Sequence, residues 1–187
     1  EIYRDLQKNP DVKLKILVGL NVDKYLSRTI EVEKADENLS NEEYFSLFMQ
    51  SLGIAVNNAD MDNEEFYNQL EFFVKLLEEG KLIIKKTLNP NHAKIYLFKV
   101  HENPYGFDAE FITGSSNLTR AGLSGQEEFN VEIRDYGADE AEKYFDELWK
   151  TAVPISEGDN NRNQIINFLR NKTQASFITP FEAYAYI

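Results

Sequence analysis

Two short apolar segments facing each other across a turn constrain this chain most. Ala93 to Val100 (AKIYLFKV) and Asp108 to Thr113 have strand composition, and the connection His101 to Phe107 (HENPYGF) is rich in turn formers. The pair predicts an antiparallel hairpin. Small polar residues flank its open end: Asn89-Pro90-Asn91-His92-Ala93-Lys94 leads in and Gly114-Ser115-Ser116-Asn117 leads out. Alternate residues of an extended strand share a face, so His92 and Lys94 point the same way, followed by Tyr96 and Phe98. Pairing about the turn then returns Gly114 to Asn117 beside His92.

The flanking sequence supplies the rest of an α/β domain. Lys13 to Leu20 (KLKILVGL) reads as a buried strand behind a helix around Ile2 to Gln7. Ser40-Asn41-Glu42-Glu43 is a capping box opening a helix with Tyr44, Leu47, Phe48 and Leu52 on one face and Gly53 as its stop. Asp62 with Glu65 opens a second helix through Phe66, Leu70, Phe73 and Leu77, which Gly80 ends. Lys81 to Lys86 and Phe129 to Arg134 read as strands. Asp139 to Thr151 is an amphipathic helix carrying Tyr144, Phe145, Leu148 and Trp149, and Asn163 to Arg170 is a further helix. Helices interleaved with strands predict a layered α/β fold with a mixed sheet flanked by helices. The aromatic residues Tyr44, Phe45, Phe48, Phe66, Tyr67, Phe72 and Phe73 have helical spacing and read as core.

Composition narrows the function. With 187 residues and 42% apolar content the chain can bury one real core. It has no cysteine, no signal peptide and no apolar run of membrane-spanning length, which makes the cytoplasm the expected compartment and excludes thiolate metal sites. A net charge of -12 counts against broad, nonspecific coating of nucleic acid, yet a local basic pocket survives it, because salt confines charge effects to about 10 Å. The Thr179-Pro180 helix start just before Ile187, and the lack of an initial methionine, are expected of a piece of a longer protein.

The hairpin end gathers an imidazole, an ammonium, hydroxyls and an amide. A phosphate wants that set: a nucleophile or acid-base group, a cation and neutral donors. In isolation each residue has an ordinary explanation. A lone histidine before a strand is usually structural or exposed, a lone Lys94 would face solvent, and Ser115 and Asn117 are common turn formers. Together, His92-Ala93-Lys94, Gly114-Ser115-Ser116-Asn117-Leu118-Thr119 and Gly122-Leu123 resemble the HxK...GSxN signature of the phospholipase D superfamily. The GSSNLTxxGL variant looks closest to the PLD-like domains fused to bacterial superfamily 2 DNA helicases. It is also similar to metal-independent restriction endonucleases of that superfamily. The resemblance is carried by residues 81–150.

The resemblance implies a phospholipase D-like layered sandwich and a set of roles. His92 matches the nucleophile that forms a phosphohistidine. Lys94 and Asn117 match the residues that hold the non-bridging phosphate oxygens, and Ser115 and Ser116 line the pocket. Glu128 matches the acidic residue that orients the histidine, with Glu132 as second choice; such a carboxylate would fix the tautomer and stabilise the imidazolium. No cofactor or metal is implied. Two departures stand out. Lys99 occupies the place of an aspartate expected five residues after the lysine, with Asp108 across the hairpin, and the family's first strand is expected to precede residue 1. The expected organisation is one PLD-like domain over 1–158 and a helical segment over 159–187 leading to a downstream region.

The chain carries one copy of a motif that the family uses in pairs. His101 has Asn103 where a second lysine would stand, reads as a surface residue, and lacks its own GSxN. The resemblance therefore implies a homodimer with the motifs meeting on a two-fold axis, or a degenerate second half elsewhere. Two functions stay open: a metal-independent phosphodiesterase acting on DNA, or a catalytically silent module that positions DNA or a partner for a fused helicase motor. No Walker-type loop lies in this chain, no membrane-binding stretch favours a lipid substrate, and Asp60, Asp62, Glu64 and Glu71 lack the central glycine of a calcium loop.

Overall fold

The computed structural model describes residues 6–9, 11–19, 39–56, 64–89, 91, 93–99, 109–115, 129–134 and 137–176. In chain order its elements are β1 (Leu14–Val18), α1 (Asn41–Val56), α2 (Glu64–Glu78), β2 (Leu82–Lys86), β3 (Ile95–Lys99), β4 (Ala109–Gly114), β5 (Asn130–Arg134), α3 (Ala138–Thr151), β6 (Val153–Pro154) and α4 (Asp159–Ser176). This is an α/β fold with mixed strand directions and flanking helices. The chain forms two compact units, Glu1–Lys86 with Val153–Ile187, and Thr87–Ala152.

In the first unit β2 is central. It pairs parallel with β1, from Leu14 opposite Leu82 to Val18 opposite Lys86, and antiparallel with β6 through Lys85 and Pro154. Parallel neighbours need a crossover, which α1 and α2 provide. Along β2 the side chains alternate, and Leu82 and Ile84 enter a core with Val74, Leu77, Ile155 and Ile165. Five of the seven expected aromatic residues join it: Phe45 is buried, and Tyr44, Phe48, Phe72 and Phe73 pack against it, whereas Phe66 and Tyr67 meet each other edge-on at 5.7 Å. Only Leu6 to Lys8 of the expected N-terminal helix fall among the described residues.

Local chemistry accounts for most boundaries. The Ser40 amide donates to Glu43 Oε2 at 2.9 Å and the Glu43 amide donates to Ser40 Oγ at 3.3 Å, a reciprocal capping box. Gly80, at φ 67°, ends α2: its amide reaches Leu77 O at 3.1 Å and the Lys81 amide reaches Leu76 O at 2.8 Å, the Schellman pattern. Gly53 does not stop α1, which runs on to Val56. Its missing side chain meets the Phe168 ring of α4, so packing carries the helix through a residue of poor propensity. The expected start of α2 at Asp62 lies outside the described residues.

One element is longer than the sequence pattern expects and one escaped it. α4 runs from Asp159 to Ser176, well beyond Asn163–Arg170, because Ile165, Ile166 and Leu169 bury against α2 while asparagines fill its exposed turns. β6 is short and contains Pro154, tolerated on an edge strand that needs no donor there. Beyond it Ile155 and Ser156 amides both donate to Ile84 O, and the Ile84 amide donates to Ser156 Oγ at 2.8 Å. A buried hydroxyl thus replaces the strand's next carbonyl.

The second unit is an antiparallel sheet in the order β3-β4-β5. Ile95 to Lys99 pair with Thr113 back to Ala109, as the hairpin reading expects, and Glu110 to Gly114 pair with Arg134 back to Asn130. α3 covers one face, with Phe111, Ala138 and Ala141 buried among Ile95, Leu97, Ala109 and Ile133. The alanines, rather than the expected Tyr144, make the closest fit, because small side chains let the helix approach Phe111. Tyr144 is exposed, while Phe145 and Trp149 stack at 5.4 Å. Among the described residues no helix is long and apolar enough to cross a membrane.

Candidate active site

The hairpin register fixes where the two halves of the motif meet. Lys94 directly precedes Ile95, whose partner is Thr113, and Ser115 directly follows Gly114. Lys94 and Ser115 therefore sit at the same end of the β3–β4 pair. Lys94 is half-buried and Ser115 is exposed. His92, Ser116, Asn117 and Glu128 lie outside the described residues, as do His101 and Asp108, so of the expected site the structure places Lys94 and Ser115.

Gly114 and Ser115 are held by the next strand. The Ser115 amide donates to Phe129 O at 3.0 Å, and the Phe129 amide donates to Ser115 Oγ at 3.1 Å. A Cβ on Gly114 would collide with the Phe129 carbonyl and lie 2.7 Å from Asn130 Cα. Glycine is required there by strand approach alone, quite apart from any anion. The serine hydroxyl continues the β4–β5 ladder beyond its last backbone pair.

The two faces of the sheet separate the polar residues by task. Tyr96, Phe98, Glu110, Ile112, Glu132 and Arg134 lie on the face turned away from α3. Burial pushes the Tyr96 hydroxyl above its ordinary value of 10.0. Arg134 pairs with Glu132, Nε to Oε1 at 2.6 Å, and with Glu110 at 3.2 Å. Glu132, the second-choice acid, is thus engaged by a guanidinium.

Lys99 lies on the opposite face with Ile95 and Leu97, where its Nζ pairs with Glu142 of α3. That hydrogen bond is the main cause of a Lys99 pKa held above 10.5, with Asp146 and Asp139 adding attraction. The position where the motif's aspartate is expected therefore faces the helix and not the outward face.

The loop leading into the motif is built from side-chain turns. Thr87 Oγ1 donates to Asn89 O at 2.7 Å, and the Ala93 amide donates to Asn91 Oδ1 at 2.8 Å. Asn91 Nδ2 donates to Tyr144 Oη of α3 at 2.9 Å. Asn91 and Tyr144, which join this loop to α3, were not read from the sequence as neighbours of the motif. Adjacency to His92 was the one available signal, and it pointed to Asn91 only.

Residues 6–149 match the family described as cardiolipin synthase, PLD-like domain. This chain belongs to the PLD-like domains of the phospholipase D superfamily. Among curated proteins no sequence matches it. The PLD-like match begins well upstream of the motif and takes in β1, the crossover helices and β2, then the hairpin, β5 and nearly all of α3. A PLD-like domain implies phosphodiesterase-type activity.

Proposed function

We propose that this PLD-like domain is a metal-independent phosphodiesterase half-site acting on DNA through a phosphohistidine on His92. The observation that carries the reading is the hairpin register, which brings Lys94 and Ser115 to one strand end. Covalent geometry keeps the Cα of His92 within about 7 Å of that of Lys94, and Asn117 within the same reach of Ser115. In this reading Lys94 and Asn117 hold the non-bridging oxygens, Ser115 and Ser116 line the pocket, and Glu128 orients the imidazole.

The chemistry is a double displacement. A ring nitrogen of His92 attacks phosphorus, an N–P bond forms, and the P–O bond to the leaving strand breaks. The leaving oxygen takes its proton from the histidine of a second copy. Water then attacks phosphorus, gives that histidine a proton, and the N–P bond breaks. Lys94 and neutral donors offset the charge that builds on the oxygens. With one motif copy in these residues, a homodimer through the motif face is the simplest complete site, and a second half elsewhere in a longer chain is the alternative. A cytoplasmic protein with a helicase or restriction-type assembly outside these residues is the proposed context.

A second reading has an observation of its own. Lys99 stands in place of the motif's aspartate and the chain carries a net charge of -12, as a silent module that positions DNA or a partner for a helicase would allow. Nicking of supercoiled DNA in excess chelator separates the two. Cleavage by the wild type and none by His92→Ala supports the enzyme. DNA binding without cleavage supports the module, and strict dependence on a divalent metal contradicts the phosphohistidine route.

A further inference from the structure

We infer that Asn91 and Tyr144 are positioning residues that hold the nucleophile-bearing segment against α3, an inference that rests on the His92 reading above. The Asn91 side chain uses both ends of its amide. Its oxygen accepts the Ala93 amide at 2.8 Å. That bond fixes the orientation of the amide group, so the NH2 is the end turned to Tyr144 Oη at 2.9 Å. One side chain thus ties the residues on either side of His92 to each other and to a helix docked on the sheet through Phe111, Ala138 and Ala141. The preceding turn, Thr87 to Asn89, stiffens the approach.

Energetics separate this role from a stabilising one. Tyr144 and the Asn91 bonds are solvent-exposed, so their loss hardly affects folding. Displacing a reacting group by about 1 Å, however, costs on the order of a hundredfold in rate. A change that is small for the fold and large for turnover marks a positioning residue.

The test uses the whole chain with bis(p-nitrophenyl) phosphate in excess chelator at pH 8. Asn91→Ala is expected to lower kcat about 10- to 100-fold and leave KM within about twofold. Its melting temperature should fall by less than about 3 °C. Asn91→Asp keeps the acceptor for Ala93 and lets Tyr144 donate instead, so it should recover kcat to within about threefold of wild type. Combined with Tyr144→Phe that recovery should be lost.

Backbone 15N relaxation at Ala93 runs beside the assay and does not depend on turnover. Asn91→Ala should lower its order parameter from the rigid range toward about 0.6, and Tyr144→Phe should lower it in part. Unchanged order at Ala93, or wild-type kcat in Asn91→Ala, overturns the positioning role. An inactive wild type with the expected loss of order at Ala93 overturns the catalytic reading instead and keeps the anchoring one.

Discussion

A methyl group on Gly114 has nowhere to go, whereas one on Gly53 would meet only the Phe168 ring at 3.7 Å. The two glycines therefore predict opposite signs. Gly114→Ala should destabilise by about 1–3 kcal/mol as β4 and β5 are forced apart, while Gly53→Ala should stabilise by about 0.5–1 kcal/mol by improving helix propensity. Urea denaturation of the two variants checks both. Ser115 has a comparable double life: its hydroxyl accepts the Phe129 amide, so Ser115→Ala should cost about 1 kcal/mol in the same assay before any effect on chemistry. At this scale the sequence was informative about identity and less so about cause. The Gly-Ser pair stood out as a motif, yet its strand-locking work depends on Phe129, fourteen positions away, and no local pattern reveals such a partner.

Helix ends follow rules that a sequence displays openly, and there the reading of elements was sound. The capping box at Ser40 and the Schellman turn at Gly80 both rest on bonds between neighbours in the chain. Ser40→Ala should cost about 1 kcal/mol. The misjudged ends, α1 past Gly53 and α4 before Asn163, are those where tertiary contacts override local propensity. Lys99 belongs to the same lesson, since only the sheet's alternation shows that its position faces α3 and Glu142. The Lys99–Glu142 pair is exposed, so a double-mutant cycle should give about 0.2–1 kcal/mol, shrinking with salt. Its folded pKa is raised, so the contribution is complete below 10.5 and disappears as pH rises through the higher folded value. Coupling that grew above that pH would contradict the assignment.

The whole chain belongs to a superfamily whose chemistry the motif announces, while its breadth was less legible. The resemblance rested on residues 81–150, and the family match reaches back to residue 6. β1 and its crossover helices carry only generic apolar patterning, which many α/β folds share. In sequence, the motif-bearing unit lies between β2 and β6 of the first unit. The proposed homodimer through the motif face predicts association. Sedimentation should show a dimer at high micromolar concentration, and a strict monomer would count against the shared site. The covalent bond proposed between His92 and phosphorus is detected by intact-protein mass spectrometry of an acid-free quench from bis(p-nitrophenyl) phosphate in chelator. The expected result is an adduct of one p-nitrophenyl phosphoryl group, labile to acid, mapping to His92 and absent in His92→Ala. Steady turnover in chelator that persists in His92→Ala, or an adduct mapping to another residue, would contradict it.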